Sequence, residues 1–391
     1  MAQRNYLPGH EIKLIHSGNE YFEDLIKLID SAKNILHLQV YIFDDDATGK
    51  QIVASLIDAT SRGVKVYLMV DGFGSHSLKD DFQKMLKAAK IFFRFFSPLP
   101  FPGITQSARR LHIKVCVADG KKAIVGGINI ADKYHGDKEH LPWLDYALFV
   151  EGEVCEQLDT FCNKIWKRRF TYRKKITPKH SNSNDPVLVR MSQNDWLRGK
   201  NEISAGYKYM LGNAKKEIII VASYFIPTRR LLKILTFAAR QGREIHIVLA
   251  HNSDVPFIKS AITYLYDLLL RNKIRIYEYN DAVLHAKVCV IDNSWVSIGS
   301  HNLNHLSEFM SVEMNLDVLD ENFAHRFADE LKTLIREHCT EIRIDEYKNS
   351  KSIFKQFFNW SSFRFISFTQ RILYMLNRRE GKAIHKSKKG N

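Results

Sequence analysis

The chain has 391 residues, too many for one ordinary domain and enough for two of moderate size. Hydrophobic residues make up 45%, which excludes a wholly disordered protein and leaves ample material for packed cores. Lys and Arg number 58 against 43 Asp and Glu, and the resulting +15 points to a polyanionic partner, either nucleic acid or an anionic membrane surface.

Taken in chain order, the start from Met1 to Pro8 lacks the apolar stretch of a secretory signal. No run approaches the ~20 apolar residues of a membrane span, so the body of the chain is expected to be soluble. Residues 32–71 and 214–250 each read as a buried strand, a helix ending near a glycine (Gly63, Gly242) and a second buried strand. Ala32-Lys33 answers to Ala214-Lys215, and Tyr41 to Tyr224. Runs that are apolar at every position, such as Ile218 to Val221, suit strands covered on both faces. They predict an α/β fold of two tandem halves, each a mixed, mostly parallel β-sheet flanked by helices.

The second part of each half matches more tightly. His112-Ile-Lys114 through Asp119 stands against His285-Ala-Lys287 through Asp292, both in the pattern H-x-K-x-x-x-x-D. Gly126 and Gly299 each follow 14 residues after their histidine, and Asn129 and Asn302 each 17 after. In an extended chain, residues two apart share a side, so each His lies beside its Lys. Asp119-Gly120 and Asp292-Asn293 are turn dipeptides, which predicts a tight hairpin after each motif. The two aspartates belong to the candidate catalytic set, with a purely structural turn role as the alternative. Cys116 and Cys289 occupy equivalent positions, which suggests matched packing. With Cys155, Cys162 and Cys339 they fit no zinc spacing and are expected to be reduced core residues.

Two such halves about a pseudo-two-fold axis would bring two His, two Lys and two Asn to one point between them. Lys and Asn donors can cradle a phosphate, one His can attack phosphorus, and the other can protonate the leaving oxygen. The lysines supply the charge a metal would otherwise bring, so neither metal nor cofactor is expected. His301 with His305, and His135 with Asp137 and His140, read as polar positions rather than metal sites. Asp145 and Glu313, each followed five positions on by Val, align as carboxylates that orient the histidines.

At these residues the sequence resembles the phospholipase D superfamily, and within it the bacterial cardiolipin synthases of that type. The resemblance spans about residues 10 to 345 and includes Tyr41-Ile-Phe-Asp-Asp45, Val70-Asp-Gly-Phe-Gly-Ser75 and Trp295-Val-Ser-Ile-Gly-Ser300. The N-terminus is similar to the subgroup without transmembrane helices ahead of the first half. The resemblance implies transfer of a phosphatidyl group between two phosphatidylglycerol molecules, giving cardiolipin and glycerol. It implies His112 as nucleophile and His285 as general acid and base, an assignment that could be reversed. Lys114, Lys287, Asn129 and Asn302 would bind the phosphate, with Gly126, Gly299 and Ser300 beside them. It also implies a peripheral protein on the cytoplasmic face of a bacterial membrane, with no obligatory protein partner. Competing readings are a hydrolase of phospholipid or nucleic acid in the same superfamily, and a non-catalytic protein that binds anionic surfaces.

The halves are expected at 1–175 and 187–350, joined by a polar linker at 176–186. Residues 164–175 carry seven basic side chains and no acid. Residues 351–391 hold ten Lys or Arg and one acid, with eight aromatics between Phe354 and Tyr374. Such a segment suits a membrane interface, its last dozen residues disordered. That composition favours lipid over nucleic acid as the polyanion.

Overall fold

The computed structural model describes residues 5–98, 109–167, 187–252, 256–304, 307–308, 310–349, 352, 354 and 356–369. The linker, residues 168–175 of the basic stretch, His305 and the chain from 370 lie outside the described residues. In the first half, strands β1 (Glu11–His16), β2 (Ile35–Val40), β3 (Lys65–Asp71), β4 (Phe92–Phe96), β5 (Arg110–Leu111), β6 (Val115–Ala118), β7 (Lys122–Gly126) and β8 (Tyr146–Glu151) follow in chain order. The second half supplies β9 (Leu188–Asp195), β10 (Lys200–Asn201), β11 (Glu217–Ala222), β12 (Glu244–Ala250), β13 (Arg275–Tyr279), β14 (Lys287–Ile291), β15 (Trp295–Gly299), β16 (Ser311–Leu319) and β17 (Cys339–Glu341).

One sheet has the order β1-β8-β7-β6-β2-β3-β4, and the other β10-β9-β16-β15-β14-β11-β12-β13-β17. The halves are topological copies. β2-β3-β4 and β11-β12-β13 are parallel, with helices such as Ala47–Ser61 and Arg229–Arg240 as crossovers. β6-β7-β8 and β14-β15-β16 are antiparallel meanders.

The α/β layering of two matched halves is as expected, but antiparallel pairings outnumber parallel ones, contrary to the mostly parallel sheets read from the sequence. The cause is double burial. In β6, Val115 and Val117 enter a core shared by both halves, while Cys116 and Ala118 enter the first half's own core. In β14, Val288 and Val290 likewise face the shared core, while Cys289 and Ile291 face the second half's own. An antiparallel strand covered on both sides loses its polar alternation and looks parallel in sequence. Cys116 and Cys289 are matched packing residues, both buried with free thiols.

The halves also exchange backbone. β5 pairs in parallel with β16 of the other half, Leu111 opposite Val312. Reciprocally, Leu284 bridges Leu144. The chain start crosses too: Leu7 pairs with Val189, and the Tyr6 hydroxyl accepts from the Trp295 indole N–H.

Candidate active site

The exchange sets the histidines. The His112 N–H donates to the Val312 carbonyl (3.0 Å), and the His285 N–H donates to the Leu144 carbonyl (2.8 Å). Val312 and Leu144 immediately precede Glu313 and Asp145, so each bond draws a histidine against the acid of the opposite half. His112 Nδ1 lies 3.0 Å from Glu313 Oε2, and His285 Nδ1 lies 2.6 Å from Asp145 Oδ2. Sequence alignment makes the two acids equivalent; only the fold makes them serve one another's histidines. Both acids are buried, a position that carboxylates occupy only when partnered.

The lysines lie between these pairs. Lys114 Nζ donates to the His112 carbonyl (2.7 Å). Lys287 Nζ donates to the His285 carbonyl, lies 2.9 Å from His285 Nδ1, and stands 3.7 Å from Asp145. Both are almost fully buried. Burial, then the charge of Lys287, pushes Lys114 down to about 7. Burial pushes Asp145 up to about 6, against the pull of Lys287. Burial and the two lysines hold both histidines below the ordinary imidazole value, His285 furthest, because Glu313 partly offsets them at His112. For Glu313 burial acts upward, but the charge and hydrogen bond of His112 bring it below the usual glutamate value. Two buried ammonium groups of like charge form a site short of an anion.

Several sequence candidates are placed differently from expectation. Asp119 is not with the histidines: its carboxylate accepts from the N–H groups of Lys33, Asn34 and Ile35, each at 2.8 Å. Asp292 accepts in the same way from Lys215, Lys216 and Glu217 at 2.7 to 3.0 Å. Each closes its hairpin with φ of 53° and ties it to the start of a central strand. They are corrected from catalytic to structural residues, because carboxylates saturated by backbone donors four strand residues from the lysine have no reach to the histidines. Gly126 and Gly299 sit where the packing leaves no room for a side chain. A Cβ on Gly126 would meet Ala147 Cβ at 2.5 Å, and one on Gly299 the Met314 carbonyl at 2.3 Å. Ser300 is turned to Glu313, to whose Oε2 its hydroxyl donates at 2.5 Å. Its counterpart Gly127 leaves room for the Asp145 carboxylate, which a Cβ there would meet at 2.3 Å. Asn129 Oδ1 accepts from Ile42 N–H and its Nδ2 donates to Tyr134, whereas Asn302 Oδ1 is buried with no partner among the described residues.

His301 is buried beside Tyr207, His135 bonds Thr48 and Asn19, and His140 bonds Asp137. The sequence reading missed the rings around the histidines. Tyr41 lies edge-on to His112 with centroids 4.9 Å apart, and Tyr134 and Trp143 lie 5.2 and 5.9 Å from His285. Tyr41 was visible as a repeat match, but Tyr134 has no repeat counterpart, since Ser307 stands at its offset.

Two equivalent α/β halves that meet over two His–Lys pairs define a phosphodiester-transferring enzyme of the phospholipase D type. The family described as "Cardiolipin synthase, PLD-like domain" matches residues 25–166 and 207–335. The chain is 31% identical over 346 residues to cardiolipin synthase B of Escherichia coli O6:H1 (strain CFT073), covering 85% of this chain and 82% of the relative. It is 31% identical over 320 residues to cardiolipin synthase 1 of Staphylococcus aureus (strain COL), covering 78% and 64%. The crystal structure of phosphatidylserine synthase from Haemophilus influenzae Rd KW20 shares the fold, with a TM-score of 0.73 and 14% identity over 98% of this chain and 97% of that one. The chain belongs to the cardiolipin synthase family of phospholipase D-like phosphatidyltransferases, which act on phospholipids.

Proposed function

We propose that the protein transfers the phosphatidyl group of one phosphatidylglycerol to a hydroxyl of a second, forming cardiolipin and releasing glycerol. The observation that carries this reading is the buried pair of lysines between two histidines, each held on a carboxylate from the opposite half. A phosphodiester anion would offset the repulsion between Lys114 and Lys287, and more so as charge gathers on its oxygens in the transition state. His112 Nε2 attacks phosphorus, and His285 gives a proton to the departing glycerol oxygen. His285 then takes a proton from the incoming hydroxyl, which attacks the phospho-histidine and frees His112. The carboxylates of Glu313 and Asp145 hold each ring by Nδ1 so that Nε2 faces the substrate.

The enzyme would work at an anionic bilayer as a peripheral protein on the cytoplasmic face. Among the described residues no helix is long and apolar enough to cross a membrane, and the basic aromatic segment from 351 suits lipid contact. The test is incubation of the purified chain with phosphatidylglycerol vesicles and lipid analysis. Cardiolipin and glycerol are expected in equal amounts, and both should vanish in His112→Ala and His285→Ala. Phosphatidic acid as sole product would replace the transferase with a hydrolase, and no turnover would overturn the reading.

A further inference from the structure

His285 stands against an aromatic wall that ends in a cation. The Tyr134 and Trp143 rings lie 5.2 and 5.9 Å from its imidazole and 5.2 Å from each other. Lys133, on the short helix Asp132–His135, carries its Nζ over both rings, 4.9 Å from the Trp143 centroid and 5.8 Å from that of Tyr134. His285 is buried, Trp143 half-buried and Lys133 exposed, so the wall runs from the motif histidine out to solvent. The neighbouring Asp132 turns away to the Thr48 N–H at 2.8 Å. Among the described residues no carboxylate pairs with Lys133 Nζ.

The first half adds two cations beside its motif that the second half lacks. Arg110 stands two residues before His112 and Lys133 stands 21 after it, where the positions matched on His285 hold Val283 and Leu306. Arg110 is already engaged, its Nη1 donating to Asp71 at 3.4 Å and to the Ser97 carbonyl at 3.2 Å. Lys133 has no such anchor, and its field reaches the site. After burial and the charges of Lys287, Lys114 and His112, it adds to what holds the His285 imidazole below its ordinary value. The motif lysines serve the phosphate being transferred, so an anion at Lys133 is a second one, held beyond His285. In the proposed reaction the acceptor brings that second phosphate: its free hydroxyl and its phosphodiester sit at opposite ends of one glycerol.

We infer that Lys133, seated on Trp143, binds the phosphodiester of the incoming phosphatidylglycerol and so makes an anionic lipid, not water or a neutral alcohol, the preferred acceptor. This rests on the transferase reading above. With the acceptor's phosphate on Lys133 and its glycerol carbons along the two rings, its terminal hydroxyl comes to His285. That hydroxyl gives its proton to His285 Nε2, its oxygen bonds to phosphorus, and the P–N bond to His112 breaks. The proton leaves on the next departing glycerol, so the cycle balances. The departing glycerol carries no phosphate of its own, so the first step makes no use of this subsite.

Partition of the phospho-enzyme tests this in the full chain. Phosphatidylglycerol in detergent micelles is supplied with tritiated glycerol, so that one intermediate yields either cardiolipin or, by exchange, labelled phosphatidylglycerol. Lys133→Gln should lower the ratio of cardiolipin to exchange about tenfold, and Lys133→Arg should restore most of it. Effects on donor binding, on His285 or on folding are common to both routes and cancel in the ratio. An unchanged ratio in Lys133→Gln would overturn the inference, and a joint fall of both products would make Lys133 a contact to the donor or to bystander headgroups. A wild type that forms neither product would sink the transferase reading and the subsite with it. Both products in a ratio indifferent to Lys133 would sink the subsite alone.

Discussion

At the scale of single residues, the site is a set of charges buried close together, and its pH response follows from their directions. In the proposed mechanism His112 attacks only when neutral, and Lys114 binds phosphate. Burial holds its pKa below 6.5, so loss of activity on the acid side lies below the ordinary histidine range. Lys114 acts only when charged. Burial and Lys287 hold it at about 7 in the free site, so the phosphate cradle weakens as pH rises through that value. A bound phosphodiester restores the charged form of Lys114, because an anion at contact favours the ammonium. Lys114 should therefore add to kcat/KM a basic fall near pH 7 that kcat does not share, beyond the fall common to both as His285, held lower by burial and the two lysines, loses the proton it must give. Substrate binding should take up protons near neutrality. Parallel pH profiles of kcat/KM and kcat check this, together with calorimetry in buffers of different ionisation enthalpy. Coincident basic limbs would mean that Lys114 is not the group that titrates.

At the scale of elements, the hairpins that follow each lysine are built to hold strands in register. Asp119 ties the β6–β7 turn to the three N–H groups that lead into β2, and Asp292 ties β14–β15 to β11. Asp119→Asn keeps a residue tolerant of φ 53° but turns an amide N–H toward donors. It should cost about 1–2 kcal/mol and lower the melting temperature by a few degrees. Turnover per folded molecule should stay within about threefold of wild type. A large loss of kcat at unchanged stability would return Asp119 to the catalytic set. The same hairpins mark how much was legible in sequence. The H-x-K pattern, the glycine and asparagine offsets and the turn dipeptides are local, and local spacing carries them. The pairing of His112 with Glu313 and of His285 with Asp145 is not local: alignment shows that two acids are equivalent, never which copy each one serves. Strand direction was hidden for a related reason, since the shared core buries the side of β6 and β14 that would otherwise be polar.

At the scale of the whole molecule, the remaining question is how this site meets a bilayer. Residues 356–369 are helical, and one stripe of that helix is seated on the second half: Ser362 is buried, and Phe363 and Ile366 pack against its core. The Phe363 ring lies 4.9 Å from Tyr264, and Phe358 lies 6.2 Å from Phe257 on the helix Pro256–Tyr264. The other side presents Phe357, Phe365 and Phe368, each more than 60% exposed, and Phe257 beside them is 61% exposed. Seven of the fifteen large exposed apolar side chains among the described residues gather on these two helices, in a region whose chain from 351 onward carries ten basic residues and one acid. Apolar surface this concentrated, next to cations, fits the headgroup region of an anionic bilayer. If the segment also meets the membrane, its deletion would confound the two roles by uncovering the seat of Phe363. Phe357→Ser, Phe365→Ser and Phe368→Ser together leave that seat intact. Losing three rings from the interface removes at least about 2 kcal/mol of apolar transfer, or roughly 30-fold in affinity for phosphatidylglycerol vesicles. Melting temperature and turnover of detergent-dispersed lipid should hold, because neither depends on the exposed stripe. Vesicle sedimentation beside a thermal melt separates the outcomes: unchanged binding would remove this face from the membrane contact, and a lowered melting temperature would make those rings part of the fold.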